Sequence, residues 1–228
     1  MNLEQFAKSA ETLRVLGVVV TQDGKEIAKQ VWDEECRRNV YSASKSFTSC
    51  AVGMAIKEGL LSLDEKLVDC FPDELPEQVS DNLKKATVRD LLTMHLGQAK
   101  ASLMCGQRPY YEEDDWVKLS LSLPFVYEPG THFVYNTGAT YMLSAILTRV
   151  TGKSALELAN EWIFDTIGIK DAEWAACPRG VNQGGTGLRI TPRDMLRMGT
   201  LLLGRGRWGN KQLISNAYIC AAQTKHID

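Results

Sequence analysis

Several patterns that quickly reveal a function are missing from this chain of 228 residues. Its longest uncharged apolar runs, such as LGVVV and TLLLG, are too short to cross a bilayer, and MNLEQFAKSAETLR lacks the basic and then apolar layout of a secretion signal. The formal net charge is only -2, with both signs mixed along the chain, so no long-range field gathers phosphates or anionic lipids. We therefore expect a cytoplasmic protein with no nucleic-acid partner and no membrane partner.

Metal-binding and disulfide patterns are also missing. The three histidines, His95, His132 and His226, form neither an HxxxH nor an HExxH spacing, and the six cysteines form no CxxC pair. Most of the cysteines stand in apolar stretches, which favours buried free thiols over disulfides or metal ligands. The sequence predicts neither a metal nor a cofactor.

Two common catalytic loops are absent as well. No Gly-x-Ser-x-Gly elbow exists for a hydrolase of that type, and GGTG at 184–187 lacks the lysine and the preceding strand of a nucleotide-binding loop. Small residues nevertheless let a backbone approach a ligand closely, so Gly184 and Gly185 are candidates for the lining of a substrate pocket.

The elements that the sequence does contain indicate an α+β fold. LRVLGVVV, an Asp-Gly turn and IAKQVW predict a β-hairpin near the N-terminus. From Ser42 onward helical periods dominate, with N-cap signals at Ser62, Thr87, Ser154 and Thr191, and with Ser215 before the last helix. One hairpin against about seven predicted helices is too little sheet, because two strands alone are marginal in water.

The remaining candidate for chemistry is Ser42-x-x-Lys45. Three residues along a helix bring both side chains to one face, and the apolar residues that follow would bury the lysine enough to let it accept the serine proton. Ser42 at the start of the helix would lie at the positive end of the dipole, which favours an oxyanion there. With 13 serines and 14 lysines, however, chance alone gives roughly one such match, and the alternative is a capping serine beside a solvated lysine.

The surrounding segments raise the weight of this match. NVYSASKSFTSC through FPDELP resembles the nucleophile helix and following loop of the serine β-lactamase and penicillin-binding-protein superfamily, most closely its class C β-lactamase-related esterases and amide hydrolases, such as 6-aminohexanoate-dimer hydrolases. VRDLLTMHLG, PGTHFVYNTGATYMLSAILTRVTG, IFDTIGIKDAEW and GGTGLRITPRDMLRMGTLLLGRGRW continue the resemblance in family order. It covers nearly the whole chain and implies a β-lactamase-like fold.

The resemblance also implies roles for individual residues. Ser42 would be the acylated nucleophile and Lys45 its proton acceptor, while Tyr135, in the family's Tyr-x-Asn motif, would be a proton shuttle polarised by Lys45. Thr137 stands where Asn or Ser is commoner, and it would contact the lysine and a substrate amide. A third motif, Lys-Thr-Gly or His-x-Gly on a late strand that also supplies an oxyanion-hole donor, has no equivalent after KQLIS.

Residues 1–228 are thus expected to form a single β-lactamase-like domain without the family's C-terminal strands, with a helical subdomain at about 60–175. Loss of one oxyanion donor would reduce activity by about 100- to 1000-fold. The open sheet edge would offer a route to a homo-oligomer, because free edges template pairing.

Two functions follow. The first is a serine hydrolase that forms an acyl-enzyme with a small ester, amide or β-lactam. The second is a weak or inactive penicillin-recognising scaffold that binds a ligand or assembles with another chain.

Overall fold

The computed structural model describes residues 2–226 and has an α+β architecture in which helices dominate. The helices are α1 (Glu4–Thr12), α2 (Ser44–Lys57), α3 (Leu67–Cys70), α4 (Asp81–Lys85), α5 (Val88–Thr93), α6 (Trp116–Ser122), α7 (Thr137–Thr151), α8 (Ala155–Ala159), α9 (Asp165–Ile167), α10 (Pro192–Leu203) and α11 (Asn216–Ala222). The strands are β1 (Gly17–Gln22), β2 (Lys25–Val31), β3 (Arg38–Asn39), β4 (Glu173–Trp174), β5 (Leu188–Ile190), β6 (Arg207–Trp208) and β7 (Lys211–Gln212).

The predicted N-terminal hairpin is confirmed as the antiparallel pair β1–β2, with a register shift between Val20 and Thr21. Asp23 and Gly24 connect the strands, and both have positive φ angles, 52° and 75°. This backbone is that of a type I′ turn, whose twist matches the twist of the two strands, so the Asp-Gly pair determines the hairpin locally.

Three of the predicted helix starts are confirmed by complete capping boxes, at Thr87, Ser154 and Thr191. The prediction at Ser62 is wrong, because SLDE forms a turn and the helix begins only at Leu67. Ser215 occupies the N-cap position of α11, but its side chain makes no capping hydrogen bond.

Helix α2 lies between two apolar clusters, which explains why it is buried on nearly every side. Ala51, Val52 and Ala55 belong to a cluster centred on α7, whereas Phe47 and Met54 belong to one formed with α8, α9 and α10. The structure thus divides Phe47, Ala51, Met54 and Ala55 between two faces of the helix. Burial against both clusters fixes the helix firmly, because each buried side chain removes apolar area from water.

A small sheet that the sequence did not reveal connects the beginning of α2 to a distant loop. Its order is β3-β5-β4, all antiparallel, so that residues 38–39 pair with residues 189–190. Beyond the sheet, the Val40 N–H donates to the Leu188 carbonyl at 2.9 Å. This pairing brings residues 183–187 against the first turn of α2.

Within residues 2–226, all six cysteines are free thiols. Cys50 and Cys177 are buried, whereas Cys105 and Cys220 are exposed, so the expectation of burial is correct for only some of them. Burial raises the pKa of the Cys50 thiol to about 12.

The described helices include none with the length and apolar character that a membrane crossing requires.

Candidate active site

Ser42 lies in a 3₁₀ turn, Tyr41–Ala43, immediately before α2 rather than inside the α-helix. Lys45 lies in the first turn of α2 and still reaches Ser42, with Nζ 3.3 Å from Ser42 Oγ. Tyr41 has a left-handed backbone, with φ of 46°, which is unusual for a bulky residue. Its N–H donates to Asn39 Oδ1 at 2.9 Å and its carbonyl accepts the Ser44 hydroxyl at 2.6 Å. These two bonds hold the strained turn and leave the Ser42 side chain exposed.

The Lys45 ammonium makes three hydrogen bonds, which match the three N–H donors that a lysine carries. Nζ donates to Ser42 Oγ at 3.3 Å, to Thr137 Oγ1 at 3.4 Å and to the Gly185 carbonyl at 2.7 Å. The three acceptors come from the 3₁₀ turn, the start of α7 and the 183–187 loop. Lys45 therefore joins the three segments that meet at the nucleophile.

Tyr135 completes the group, because its hydroxyl lies 2.7 Å from Ser42 Oγ and is hydrogen bonded to it. Lys45 Nζ is 4.9 Å from the centre of the Tyr135 ring. Burial alone would raise the pKa of the Tyr135 phenol, but its hydrogen bond to Ser42 and the nearby positive charge of Lys45 outweigh it and lower this pKa below its usual value. Tyr135 is thus poised to lose its proton more readily than an ordinary tyrosine.

Thr137 is buried at the first position of α7, and its hydroxyl has two partners. It accepts from Lys45 and donates to Met104 Sδ at 3.3 Å. The predicted contact to lysine is therefore present. Its contact with a substrate amide stays a prediction, since the hydroxyl proton already points to a sulfur atom.

Gly184 and Gly185 are buried and let the 183–187 loop approach two helices closely. A Cβ on Gly185 would lie 2.9 Å from Thr137 Cγ2 and 3.3 Å from Lys45 Nζ, and one on Gly184 would lie 2.8 Å from the Thr140 carbonyl. The Gly185 carbonyl accepts a hydrogen bond from Lys45, and the Gly184 carbonyl accepts one from Thr48. The close approach serves the packing around Lys45, and contact of either glycine with a substrate stays a prediction.

Three features of the site were not foreseen from the sequence. They are Asn136, which caps α7 through its side chain, Met104, and the strained Tyr41. Asn136 could have been found as an N-cap candidate directly before a helix. Met104 could not, because nothing local to its sequence brings it to Thr137.

The other hydroxyls of the segment around Ser42 do not join the group. Ser44 is buried and braces Tyr41, Ser46 is exposed, and Ser49 Oγ lies 3.1 Å from the Tyr218 hydroxyl. Among the described residues, no hydrogen bond connects a histidine to Ser42, Lys45 or Tyr135, and no cluster of His, Cys, Asp and Glu has a metal-binding arrangement.

An α+β fold in which a serine, a lysine and a tyrosine meet beside a buried helix matches the arrangement expected for β-lactamases and penicillin-binding proteins. The sequence model of the Beta-lactamase family matches residues 3–220, and the chain belongs to this family. The D-aminopeptidase of Brucella anthropi is 30% identical over 173 residues, 68% of this chain and 32% of that protein. The lovastatin esterase of Penicillium rubens is 25% identical over 185 residues, 72% of this chain and 46% of the esterase.

The fold itself also has a close counterpart among solved structures. The octameric penicillin-binding protein homologue of Pyrococcus abyssi superposes with a TM-score of 0.78 at 19% identity, over 99% of this chain and 60% of that one. The predicted β-lactamase-like fold is confirmed. The chain spans less than half the length of both curated relatives.

Proposed function

We propose that this chain carries the acyl-transfer site of a serine hydrolase that acts on a small ester, amide or lactam. The observation that carries the proposal is the contact of Ser42 Oγ with both Tyr135 and Lys45, at 2.7 Å and 3.3 Å. A serine hydroxyl is inert near neutral pH unless a neighbouring group takes its proton. Here the Tyr135 hydroxyl and the Lys45 ammonium both contact Ser42 Oγ.

In the proposed first step, Tyr135 in its phenolate form accepts the Ser42 proton while Oγ bonds to the substrate carbonyl carbon. The Lys45 ammonium stabilises the phenolate before the transfer. The tetrahedral intermediate then collapses, its bond to the leaving group breaks, and Tyr135 returns the proton to the leaving oxygen or nitrogen. The products of this step are the Ser42 ester and the free alcohol or amine; with a lactam the amine stays attached to the acyl group.

In the second step, water gives a proton to Tyr135 and attacks the acyl carbon, and the Ser42–acyl bond breaks. Tyr135 then returns the proton to Ser42 Oγ, so the enzyme is regenerated with no net gain or loss of protons. The dipole of α2, which begins two residues after Ser42, favours the negative oxygen that forms in both steps.

The relatives support this class of reaction from two directions. One is a D-aminopeptidase, which is named for an amide substrate, and the other is an esterase of lovastatin. Both names fit attack on an acyl carbon. They do not determine whether the leaving group is an alcohol or an amine. We propose a small-molecule substrate on this basis.

A cytoplasmic location and self-association through the free edge of β1 are finer parts of the same proposal. The free thiols of the described residues support the first, and the second is supported by the pairing of β1 with β2 alone within residues 2–226. Light scattering of the purified chain distinguishes a self-associating protein from a monomer.

Intact-mass spectrometry after treatment with a fluorophosphonate or a penicillin tests the reaction. We expect one covalent adduct for the wild-type chain and none for Ser42→Ala. Ser46→Ala is the matched control, because Ser46 is an exposed hydroxyl on the same segment. An adduct that persists in Ser42→Ala would disprove the assignment.

A further inference from the structure

A buried pair of amide side chains, Gln98 and Asn136, lies directly behind the catalytic group. Each is only 1% exposed. Asn136 Oδ1 accepts the Ser102 N–H at 3.0 Å and the Gly138 N–H at 2.9 Å, and Nδ2 donates to Gln98 Oε1 at 3.1 Å. We call Gln98 and Asn136 the amide clamp.

The surroundings of the amide clamp leave little room for adjustment. Gln98 Nε2 donates to the Ser120 carbonyl at 2.7 Å, and the hydroxyls of Ser102 and Ser120 lie 3.1 Å apart. A Cβ on Gly138 would lie 1.9 Å from Ser102 Oγ. Because the polar groups are paired and the packing is tight, the clamp has one favourable geometry.

The amide clamp joins the two segments that approach the nucleophile from one side. Asn136 stands between Tyr135 and Thr137, and Gln98 begins the loop that ends at Met104, whose sulfur accepts the Thr137 hydroxyl. The Ser102 carbonyl also accepts the Gly138 N–H at 3.0 Å. The relative position of these segments therefore depends on the hydrogen bonds of the clamp.

We infer that Asn136 and Gln98 are positioning residues for acyl transfer, which hold the Tyr135 hydroxyl against Ser42 Oγ and beside Lys45. The inference rests on the proposed function for its catalytic consequence. Neither side chain is accessible to a substrate, because each is buried. Each acts through Tyr135, and a displacement of about 1 Å in such a group reduces rate by about 100-fold.

A purely structural role for the clamp has different consequences. Loss of a buried hydrogen bond would then lower the stability of the fold and leave the chemistry of the folded molecules unchanged. The ionisation of Tyr135 separates the two roles, because Tyr135 is hydrogen bonded to Ser42 and influenced by Lys45, the groups that lower its pKa. If the clamp positions Tyr135, weakening the clamp moves this pKa upward towards that of an ordinary tyrosine.

The test uses Asn136→Ser and Gln98→Met in the full chain. Serine is a good N-cap and can still bond the start of α7, but it is too short to reach Gln98. Gln98→Met removes the hydrogen bond between Asn136 and Gln98 by changing the other partner. It replaces Asn136→Ser in the test if that variant does not fold. Ser154→Ala is the control, because the Ser154 hydroxyl caps α8, accepting the Glu157 N–H at 3.2 Å, and makes no hydrogen bond with Gln98, Asn136 or the catalytic residues.

Two measurements are made on each folded variant. Carbon-13 NMR of labelled tyrosine, assigned with Tyr135→Phe, gives the ionisation midpoint of Tyr135, and mass spectrometry gives the rate of acylation by a fluorophosphonate. We expect both clamp variants to raise the midpoint and to slow acylation by about 10- to 100-fold. The double variant should lose little more than either single one, because both remove the same bond. Ser154→Ala should match the wild type in both measurements.

Folded clamp variants with a wild-type midpoint would overturn the inference, whatever their stability. If the wild-type chain forms no adduct but the clamp variants still raise the midpoint, the proposed function fails while the positioning of Tyr135 by the clamp stands. Failure of the clamp and failure of the hydrolase assignment are thus distinguishable.

Discussion

The N-terminal hairpin and the region around α7 differ sharply in how they are stabilised. No residue of β1 or β2 is fully buried, whereas eleven of the fifteen residues of α7 are. Between the hairpin and α10 lies an open, mostly apolar cavity of about 570 Å³, lined by β1 residues such as Val18 and Val19 and by Met195. The hairpin is stabilised mainly by its local turn, whereas α7 is stabilised by tertiary packing.

This difference shows where the precision of the site originates. Tyr135 and Thr137 are held at the start of α7, and Ser42 and Lys45 at the start of α2, so the reactive atoms are attached to the two best-packed helices. Rigid supports of this kind keep catalytic groups in register at little cost during the reaction. The hairpin contributes no side chain to the hydrogen bonds among Ser42, Lys45, Tyr135 and Thr137.

Tyr135→Phe should produce the largest effect, because it removes the proton carrier and leaves the packing of the ring intact. We expect acylation to slow by about 100- to 10,000-fold. In the wild type the rate should rise with pH as Tyr135 loses its proton, with a midpoint below the usual tyrosine value because its pKa is lowered. Rates measured between pH 6 and pH 10 check both points, and a Tyr135→Phe profile that still rises like the wild type would contradict the role.

Leu143→Ala should lower the free energy of unfolding by about 2–5 kcal/mol, because it opens a cavity in the cluster around α7, where Leu143 is only 2% exposed. Val19→Ala is the matched change in the hairpin and should cost only about 0.5–1 kcal/mol, since Val19 is half-buried. Urea unfolding of both variants measures the comparison directly. Equal losses would show that the hairpin is as tightly coupled to the core as α7.

Gly185→Ala should disturb the site more than its size suggests. Its methyl group would collide with Thr137 and approach Lys45, which should cost about 1–3 kcal/mol of stability. Acylation should slow by about 10- to 100-fold, because Lys45 would move relative to Ser42. Gly199→Ala is the control, since a Cβ there meets no atom within 4 Å in the middle of α10, and it should be neutral or stabilising. Thermal unfolding and acylation rates compare the two.

Much of this organisation could be read from local sequence chemistry, since the Asp-Gly turn and the capping boxes at Thr87, Ser154 and Thr191 depend on neighbouring residues alone. The side chains of Ser42 and Lys45 are in contact, as their spacing predicted, even though the serine lies in a 3₁₀ turn. Strands of two or three residues, such as β3 and β5, are too short for any periodicity to show.

Long-range contacts account for the parts of the site that could not be read. Met104 meets Thr137, and Gln98 meets Asn136, across more than thirty residues of sequence. No local pattern predicts such pairs, because tertiary packing decides them. The resemblance to a family supplied Tyr135 as a proton shuttle next to the serine and lysine, and in the structure its hydroxyl lies 2.7 Å from Ser42 Oγ.

The most direct test of the central claim is to locate the acyl group by tandem mass spectrometry on a peptide that contains residues 39–50. The segment carries four serines and one threonine, and only Ser42 is hydrogen bonded to both Tyr135 and Lys45. We predict that the modification lies on Ser42 alone. A modification on Ser44, Ser46 or Ser49, or one distributed over several of these hydroxyls, would contradict the account.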